Sequence, residues 1–245
     1  MAQPDELLGA RANLLLAALP HAELQRLQPL LEDVHYSLGQ ALYESSEQLD
    51  HISFPTTAVI TLLYTMENGS TAEMGLVGKD GAVGIALFLG GETTPNRAVA
   101  QIAGHAYRMR ASALREEFAR GGPLQLVLLR YTQALITQIS QTAVCNRLHS
   151  VEQRLCRWLL LSHDRAPSNE LLMTQELISN MLGMRREGVT VAAARLKDAG
   201  LIDYTRGHIK ILDRAGLETV VCECYRIVKD ELDRLFRPGA QSGPE

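Results

Sequence analysis

The most concentrated chemistry in the sequence is a short charged run, Arg185-Arg186-Glu187, followed by Thr190. An arginine can donate two parallel hydrogen bonds to guanine, and a glutamate can accept one from cytosine. Arg186, Glu187 and Thr190 are therefore candidates for reading the edges of DNA bases. The alternative is a charged helix start on a protein-interaction module, although arginines oppose the dipole at a helix N-terminus.

Two predicted helices and a hairpin position this run. Thr174 is a typical N-cap residue, and Gly183 suits the left-handed turn that ends the first helix. A second helix from about Arg185 places Val189, Ala193 and Leu196 on its buried face. Residues 199–204 and 209–212 then predict two strands joined by a glycine-containing turn. A helix-turn-helix followed by a hairpin is a winged helix.

Further polar residues around this segment are candidates for contacts with the DNA backbone rather than with bases. They are Thr174, Gln175, Arg185, Arg206 and Lys210.

The net charge of −4 over 245 residues argues against a nucleic-acid partner only until the charge is divided along the chain. Residues 1–149 hold 10 basic and 14 acidic side chains, whereas residues 150–245 hold 14 of each. Residues 174–214 carry seven basic and five acidic groups. The acidity therefore belongs to the N-terminal part, and the predicted winged helix is locally basic.

The N-terminal part has the pattern of a β domain. Short apolar and β-branched runs at 51–54, 58–64, 98–102 and 105–109 are separated by glycine-containing turns. Many short strands at such spacing predict a barrel or roll, with a mixed α+β domain as the alternative.

A helix of about 26 residues is predicted to begin at Pro123, a position where its missing N–H costs nothing. An apolar stripe at helical spacing indicates either a coiled-coil-like homodimer contact, which we favour, or a core helix within one chain. The stripe comprises Leu124, Leu128, Tyr131, Leu135, Ile139 and Thr142. Ser150 and Gln153 form a capping box that starts the next helix, so a domain boundary is expected near 149–150.

Composition excludes several classes of protein. The longest apolar runs are too short to cross a membrane, and the N-terminus lacks the features of a signal peptide, so we expect a cytoplasmic protein. No nucleophile elbow, phosphate loop or paired-carboxylate site is present, and we expect no enzyme activity. Cys222 and Cys224 are predicted to lie on different faces of a helix without further ligands, so no metal or iron–sulfur cluster is expected.

Residues 20–215 resemble the Crp/Fnr family of bacterial transcription regulators. The resemblance is carried by the run 182–190, Leu-Gly-Met-Arg-Arg-Glu-Gly-Val-Thr, together with Arg195-Leu196 and Gly200-Leu201-Ile202. It implies a cyclic-nucleotide-binding-like roll, a long dimer helix and a winged helix in which Arg186 and Glu187 read the operator. Its implied partners are double-stranded DNA, a second copy of the chain and RNA polymerase.

The same resemblance implies an effector site in the roll. Gly84, Arg97 and the neighbouring Ala98 match the cyclic-nucleotide-binding stretch, but Ile85 replaces the glutamate that holds the ribose. Ser140 lies about where the family contacts the base. A cyclic nucleotide, a different effector anchored by Arg97, and no effector all remain open.

These observations predict an α+β protein with four parts. They are a roll with flanking helices (1–122), a dimerisation helix (123–149), a winged helix-turn-helix domain with an extra C-terminal helix (150–237) and a flexible tail (238–245). The expected function is that of a DNA-binding transcription regulator. The alternative is a nucleotide-binding signalling module whose winged domain binds protein.

Overall fold

The computed structural model describes residues 9–205 and 207–236. Within this part the helices are α1 Leu14–Ala17, α2 His21–Leu27, α3 Ala111–Ala119, α4 Pro123–Leu148, α5 Val151–Arg165, α6 Gln175–Leu182, α7 Arg186–Asp198, α8 Arg214–Val220 and α9 Glu223–Phe236. The strands are β1 Leu31–Tyr36, β2 Ala41–Tyr43, β3 His51–Pro55, β4 Val59–Thr65, β5 Thr71–Val77, β6 Arg97–Ile102, β7 Gly104–Arg110, β8 Glu170–Leu172, β9 Ile202–Thr205 and β10 His208–Ile211. Short 3-10 helices span Gln28–Leu30 and Ile85–Phe88.

The N-terminal part is a roll of two antiparallel sheets, as the strand pattern predicts. One sheet has the order β1-β7-β3 and the other β2-β6-β4-β5. The inward side chains of both sheets form one apolar core, which also takes in residues of α1, α2, α3 and the first half of α4. The four predicted strands correspond to β3, β4, β6 and β7, and the pattern of the sequence does not indicate β1, β2 and β5.

Helix α4 begins at Pro123 and ends at Leu148, matching the predicted length. His149 follows in an extended conformation, and Ser150 then caps α5. The Ser150 hydroxyl accepts from the Gln153 N–H at 3.3 Å, and the Gln153 side chain accepts from the Ser150 N–H at 3.1 Å, so the predicted capping box is confirmed. Two residues therefore separate the two helices.

The C-terminal part has one strand more than predicted. Strand β10 pairs with β9 in the expected hairpin and with β8 on its other side, giving the order β8-β10-β9. Val189, Ala193 and Leu196 are buried, as the helical period requires. Gly183 adopts φ 57°, ψ 43° and closes α6 in the left-handed turn.

The two parts are packed against each other. Val59, Leu63 and Leu76 of the roll belong to the same apolar core as the residues of α5, α6 and α7. Helix α9 folds back along α4, from Cys145 near its end to Arg130 in its first half. Among the described residues, no helix is long and apolar enough to span a membrane.

Candidate nucleic-acid interface and effector pocket

The first turn of α7 projects from the surface. Arg185 occupies the N-cap position without a capping hydrogen bond from its side chain, and Arg186, Glu187 and Thr190 follow on the exposed side of the helix. Arg185, Arg186 and Glu187 make no ion pair with any residue in 9–205 or 207–236. The structure therefore brings the predicted base-reading residues together on one accessible surface whose charges are not neutralised by neighbours.

Other cations of this region are engaged in ion pairs. Lys197 lies 2.7 Å from Asp203, and Arg195 lies 3.5 Å from Glu152. Their charges are shared with carboxylates, which leaves the N-terminal turn of α7 as the part best suited to an anionic partner.

Thr190 also ties the two helices of the motif together. Its hydroxyl lies 2.9 Å from the side-chain oxygen of Gln175 and 2.9 Å from the backbone oxygen of Arg186. Gln175 is thereby held beside the exposed surface of α7. A residue that is predicted to contact the DNA backbone has to lie there.

The remaining predicted backbone contacts are partly placed by the structure. Thr174 is exposed, and its hydroxyl accepts from the Leu177 N–H at 3.1 Å. Lys210 is exposed on β10, 4.0 Å from Glu170. Arg206 lies outside the described residues.

An exposed apolar side chain lies on the same helix face and is not among the predicted site residues. Val191 is 52% exposed, one residue after Thr190. Exposed apolar side chains in a major-groove helix can contact the thymine methyl group. The helical period predicts this exposure, because Val191 lies outside the buried positions 189, 193 and 196.

The roll encloses a cavity of about 370 Å³ beside α4. Gly84 and Ile85 line it, as do Leu135 and Ile139 of α4. Its polar groups are uncharged; they comprise Tyr43, Tyr64, Thr94 and Asn96. The Asn96 amide donates to the Tyr43 hydroxyl at 3.0 Å.

Arg97, Ala98 and Ser140 do not line this cavity, so the predicted effector residues are only partly brought together. Asn96 faces the cavity, and neighbouring residues of an extended chain point to opposite sides. Arg97 therefore faces the winged domain and pairs with Glu44 at 2.9 Å. Ala98 is fully buried, and Ser140 is exposed on α4. The prediction of Arg97 as an anchor inside the roll is wrong for this reason.

The stripe predicted as the dimer interface is also corrected. Leu124, Leu128, Tyr131 and Leu135 are at most 4% exposed and lie in the core of the roll. Ile139 packs against the same core, and the Thr142 hydroxyl accepts from Arg157 at 2.6 Å. This face, which we call the inner stripe, is used within one chain.

A different face of α4 is exposed. Its apolar members are Leu126, Leu129, Ile136 and Val144, which are 40%, 45%, 51% and 42% exposed. Together with the exposed Gln133 and Ser140, they follow a three-four spacing along the helix, and we call this set the outer stripe.

The cysteines are placed differently from the prediction. Cys222 precedes α9 instead of lying within it, and it meets Cys145 at a Sγ–Sγ distance of 3.6 Å. Cys224 lies 3.6 Å from Nδ1 of His149. The expectation that Cys222 and Cys224 lack further ligands nearby is therefore wrong, because α9 returns to the end of α4.

Comparisons with known proteins agree with this architecture. Residues 153–220 match the Crp-like helix-turn-helix domain. A putative Crp/Fnr-family transcriptional regulator from Eubacterium rectale is 18% identical with a TM-score of 0.66, covering 84% of this chain and 96% of that one. FixK2 from Bradyrhizobium japonicum is 15% identical with a TM-score of 0.65, covering 78% and 98%.

A putative cAMP-binding regulatory protein from Silicibacter pomeroyi is 22% identical with a TM-score of 0.61, covering 89% of this chain and 98% of that one. None of the curated proteins matches this chain in sequence. The resemblance predicted from the sequence is confirmed. The chain carries a Crp-like helix-turn-helix domain at residues 153–220 within the fold of the Crp/Fnr transcription regulators.

Proposed function

We propose that this protein is a sequence-specific DNA-binding transcription regulator, which binds a two-fold symmetric operator as a homodimer and recruits or blocks RNA polymerase there. The observation that carries the proposal is the accessible N-terminal turn of α7. It presents Arg185, Arg186 and Glu187 on a helix whose opposite face is fixed in the domain core. Such a helix can enter the major groove by its N-terminal end.

The outer stripe of α4 supports the homodimer. The outer stripe keeps its three-four spacing when the polar Gln133 and Ser140 are counted with the four apolar residues. This spacing suits the seam of a coiled coil, which a second copy of the same helix would cover. A two-fold contact of this kind presents two copies of α7 to two half-sites about one turn of DNA apart.

Selection from a random DNA pool tests this function directly. We expect the purified protein to enrich an inverted repeat whose half-sites are separated by about one helical turn, roughly 10 base pairs. Enrichment of a single unrepeated site would contradict the homodimer. A pool that shows no enriched sequence, with protein that is folded by circular dichroism, would contradict sequence-specific binding.

The cavity of the roll supports control by a small effector. A volume of about 370 Å³ is suited to a small ligand, and Leu135 and Ile139 connect the cavity directly to α4. The described lining contains no charged side chain, so the phosphate of a cyclic nucleotide has no ionic partner there. We infer a neutral, largely apolar effector that hydrogen-bonds to Asn96 or to the tyrosines.

Thermal unfolding distinguishes these classes of effector. We expect cAMP and cGMP to leave the unfolding midpoint unchanged, whereas a neutral ligand found by screening raises it in the wild type but not after Asn96→Ala. A rise with cAMP in the wild type that disappears after Asn96→Ala would overturn the inference, since it would place the nucleotide in this cavity.

A further inference from the structure

Four side chains from distant parts of the sequence meet where α4 ends and α9 begins. They are Cys145 and His149 from the end of α4, Cys222 from the connection after α8, and Cys224 from the first turn of α9. Their sulfur and imidazole nitrogen atoms all lie within 4.8 Å of one another. We propose that these residues form a mononuclear metal site that binds Zn²⁺ or a similar thiophilic divalent ion.

The distances suit one tetrahedral ion. Zinc bonds of about 2.3 Å to sulfur and about 2.05 Å to nitrogen require separations of about 3.8 Å between sulfurs and about 3.6 Å between sulfur and nitrogen. The Cys145–Cys222 and Cys224–His149 separations are both 3.6 Å. Because all the ligand atoms lie within 4.8 Å of one another, no separation has to shorten by more than about 1 Å.

The choice of ligands indicates the metal. Three sulfurs and one imidazole form the Cys₃His set of structural zinc sites, and four protein ligands leave no open position for a reactive water. An iron–sulfur cluster spreads its ligands over more than one iron, whereas these atoms converge on one point. The site is therefore structural rather than catalytic.

The surroundings hold the ligands in place. Nδ1 of His149 faces the cysteines, while its Nε2 lies 3.4 Å from the carboxylate of Glu223. A carboxylate on the second nitrogen of a ligating histidine fixes the ring and is typical of zinc sites. Cys145, Cys222 and Cys224 are buried, and His149 is 13% exposed, which protects the thiols from bulk solvent.

The local charge also fits. A divalent ion with three thiolates carries one net negative charge, and burying it requires compensation. Arg157 is 5% exposed and interacts electrostatically with both Cys145 and Cys224. Its guanidinium bonds to Thr142 on α4, so a positive charge is already held beside the site.

The position of the site gives the metal a role. His149 is the C-cap of α4 and directly precedes Ser150, the N-cap of α5, so it lies in the short junction between the two parts of the molecule. Cys222 belongs to the segment that joins the winged domain to α9, and Cys224 lies in the first turn of α9. A bound ion would therefore clamp the junction and α9 to the same point.

Metal content and spectroscopy test the site without reference to DNA. We expect the full-length protein, purified under reducing conditions without chelator, to contain one zinc per chain. Replacing zinc by Co²⁺ should give intense visible bands and a sulfur-to-cobalt charge-transfer band, as tetrahedral thiolate coordination requires. The bound zinc and the cobalt absorption bands should disappear in Cys222→Ser and in His149→Ala.

Two further variants guard against misfolding and non-specific thiol binding. Cys156 is buried outside the cluster, so Cys156→Ala should retain the metal and its spectrum. Glu223→Gln keeps all four ligands and should weaken the affinity for zinc about 10- to 100-fold. Zinc should raise the thermal midpoint of the wild type and of Cys156→Ala, but not of Cys222→Ser.

Three outcomes would overturn the proposal. One is a reduced, folded wild-type protein that binds neither zinc nor cobalt. Another is a cobalt spectrum that persists in His149→Ala and Cys222→Ser alike. The third is a Cys145–Cys222 disulfide in the isolated protein, with no metal uptake after its reduction.

Discussion

Arg185 and Arg186 lie where the dipole of α7 is already positive, and Arg185 makes no capping hydrogen bond with its side chain. Two cations at this end oppose the helix dipole, and the single carboxylate of Glu187 in the same turn offsets only part of this effect. An anion bound there removes the repulsion and also satisfies the free backbone N–H groups of the first turn. The two arginines are therefore unfavourable for the free helix and become favourable when a phosphate or a guanine edge is bound. This supports assigning them to binding rather than to folding.

Arg186 and Lys210 should have different effects on DNA binding because one is placed to read bases and the other to contact the backbone. Arg186→Ala should cost about 1–3 kcal/mol at the selected operator and relax the choice of base at one position. Lys210→Ala should weaken binding to all sequences alike and reduce the slope of log affinity against log salt by about one per half-site. Fluorescence anisotropy over a salt series measures both.

The matched control for these variants is Arg226→Ala, because Arg226 is an exposed helical arginine on α9. It should bind the operator as the wild type does. Unchanged base preference after Arg186→Ala, at full operator affinity, would refute the assignment of this residue to base reading.

Adjacent residues show how far single positions can be predicted. The candidates in 174–190 lie in one local motif, so helical spacing alone places them on one surface. Arg97 and Asn96 depend instead on the register of β6, where a shift of one residue exchanges the two faces of the strand. The stretch named from the sequence borders the cavity of the roll, but Asn96 lines this cavity and its neighbour Arg97 does not.

Helix α4 shows the same limit at the scale of an element. Its length, its start at Pro123 and the cap of the following helix follow from local signals. Its apolar faces do not identify their partners, because an inward stripe and a dimer stripe have the same composition. The inner stripe packs on the roll, α9 lies along a second face, and the outer stripe is left exposed.

The two stripes predict opposite consequences of substitution. Ile136 is 51% exposed and Leu128 is fully buried. If the outer stripe is the proposed dimer seam, Ile136→Asp should give monomers with little change in the thermal midpoint, because a charge cannot be buried in an apolar seam. Leu128→Ala should cost about 2–5 kcal/mol of folding stability. Sedimentation velocity and thermal unfolding measure the two effects.

Met66→Asp supplies the control, since Met66 is 61% exposed on the roll and does not belong to the outer stripe. It should remain dimeric. A dimer that survives Ile136→Asp would show that the outer stripe is not the interface.

At the scale of the whole molecule, the apolar core of the winged domain extends into the roll through Val59, Leu63 and Leu76, although the sequence suggests separate units. Side chains of β4 and β5 meet α5 and α6, and Arg165 of α5 pairs with Asp80 of the roll at 2.6 Å. None of these contacts has a local signature, because they join residues more than 70 positions apart. The Cys145–Cys222 contact, with 77 positions between its residues, was invisible for the same reason.

Glu73 makes this interdomain contact sensitive to pH. It lies on β5, accepts a hydrogen bond from Thr61 at 2.7 Å, and Thr61 in turn lies 3.7 Å from the sulfur of Met181 on α6. Burial raises the pKa of Glu73 to about 7, and the hydrogen bond from Thr61 and the charges of Arg157 and Arg165 only partly oppose it. The folded protein therefore holds this proton more tightly than the unfolded chain does.

A raised carboxyl pKa stabilises the fold at low pH, and this contribution is lost as the pH rises from the ordinary value of glutamate to about 7. Glu73→Gln keeps the side chain neutral, so at pH 8 it should be more stable than the wild type, by at most about 3 kcal/mol. At pH 5 the difference should fall to about 1 kcal/mol or less, because Glu73 is then protonated in the folded protein and only partly protonated in the unfolded chain. Urea unfolding at both pH values measures it, with the exposed Glu67→Gln as the control that shows no such change. A difference of equal size at pH 5 and pH 8 would mean that the interface does not titrate through Glu73.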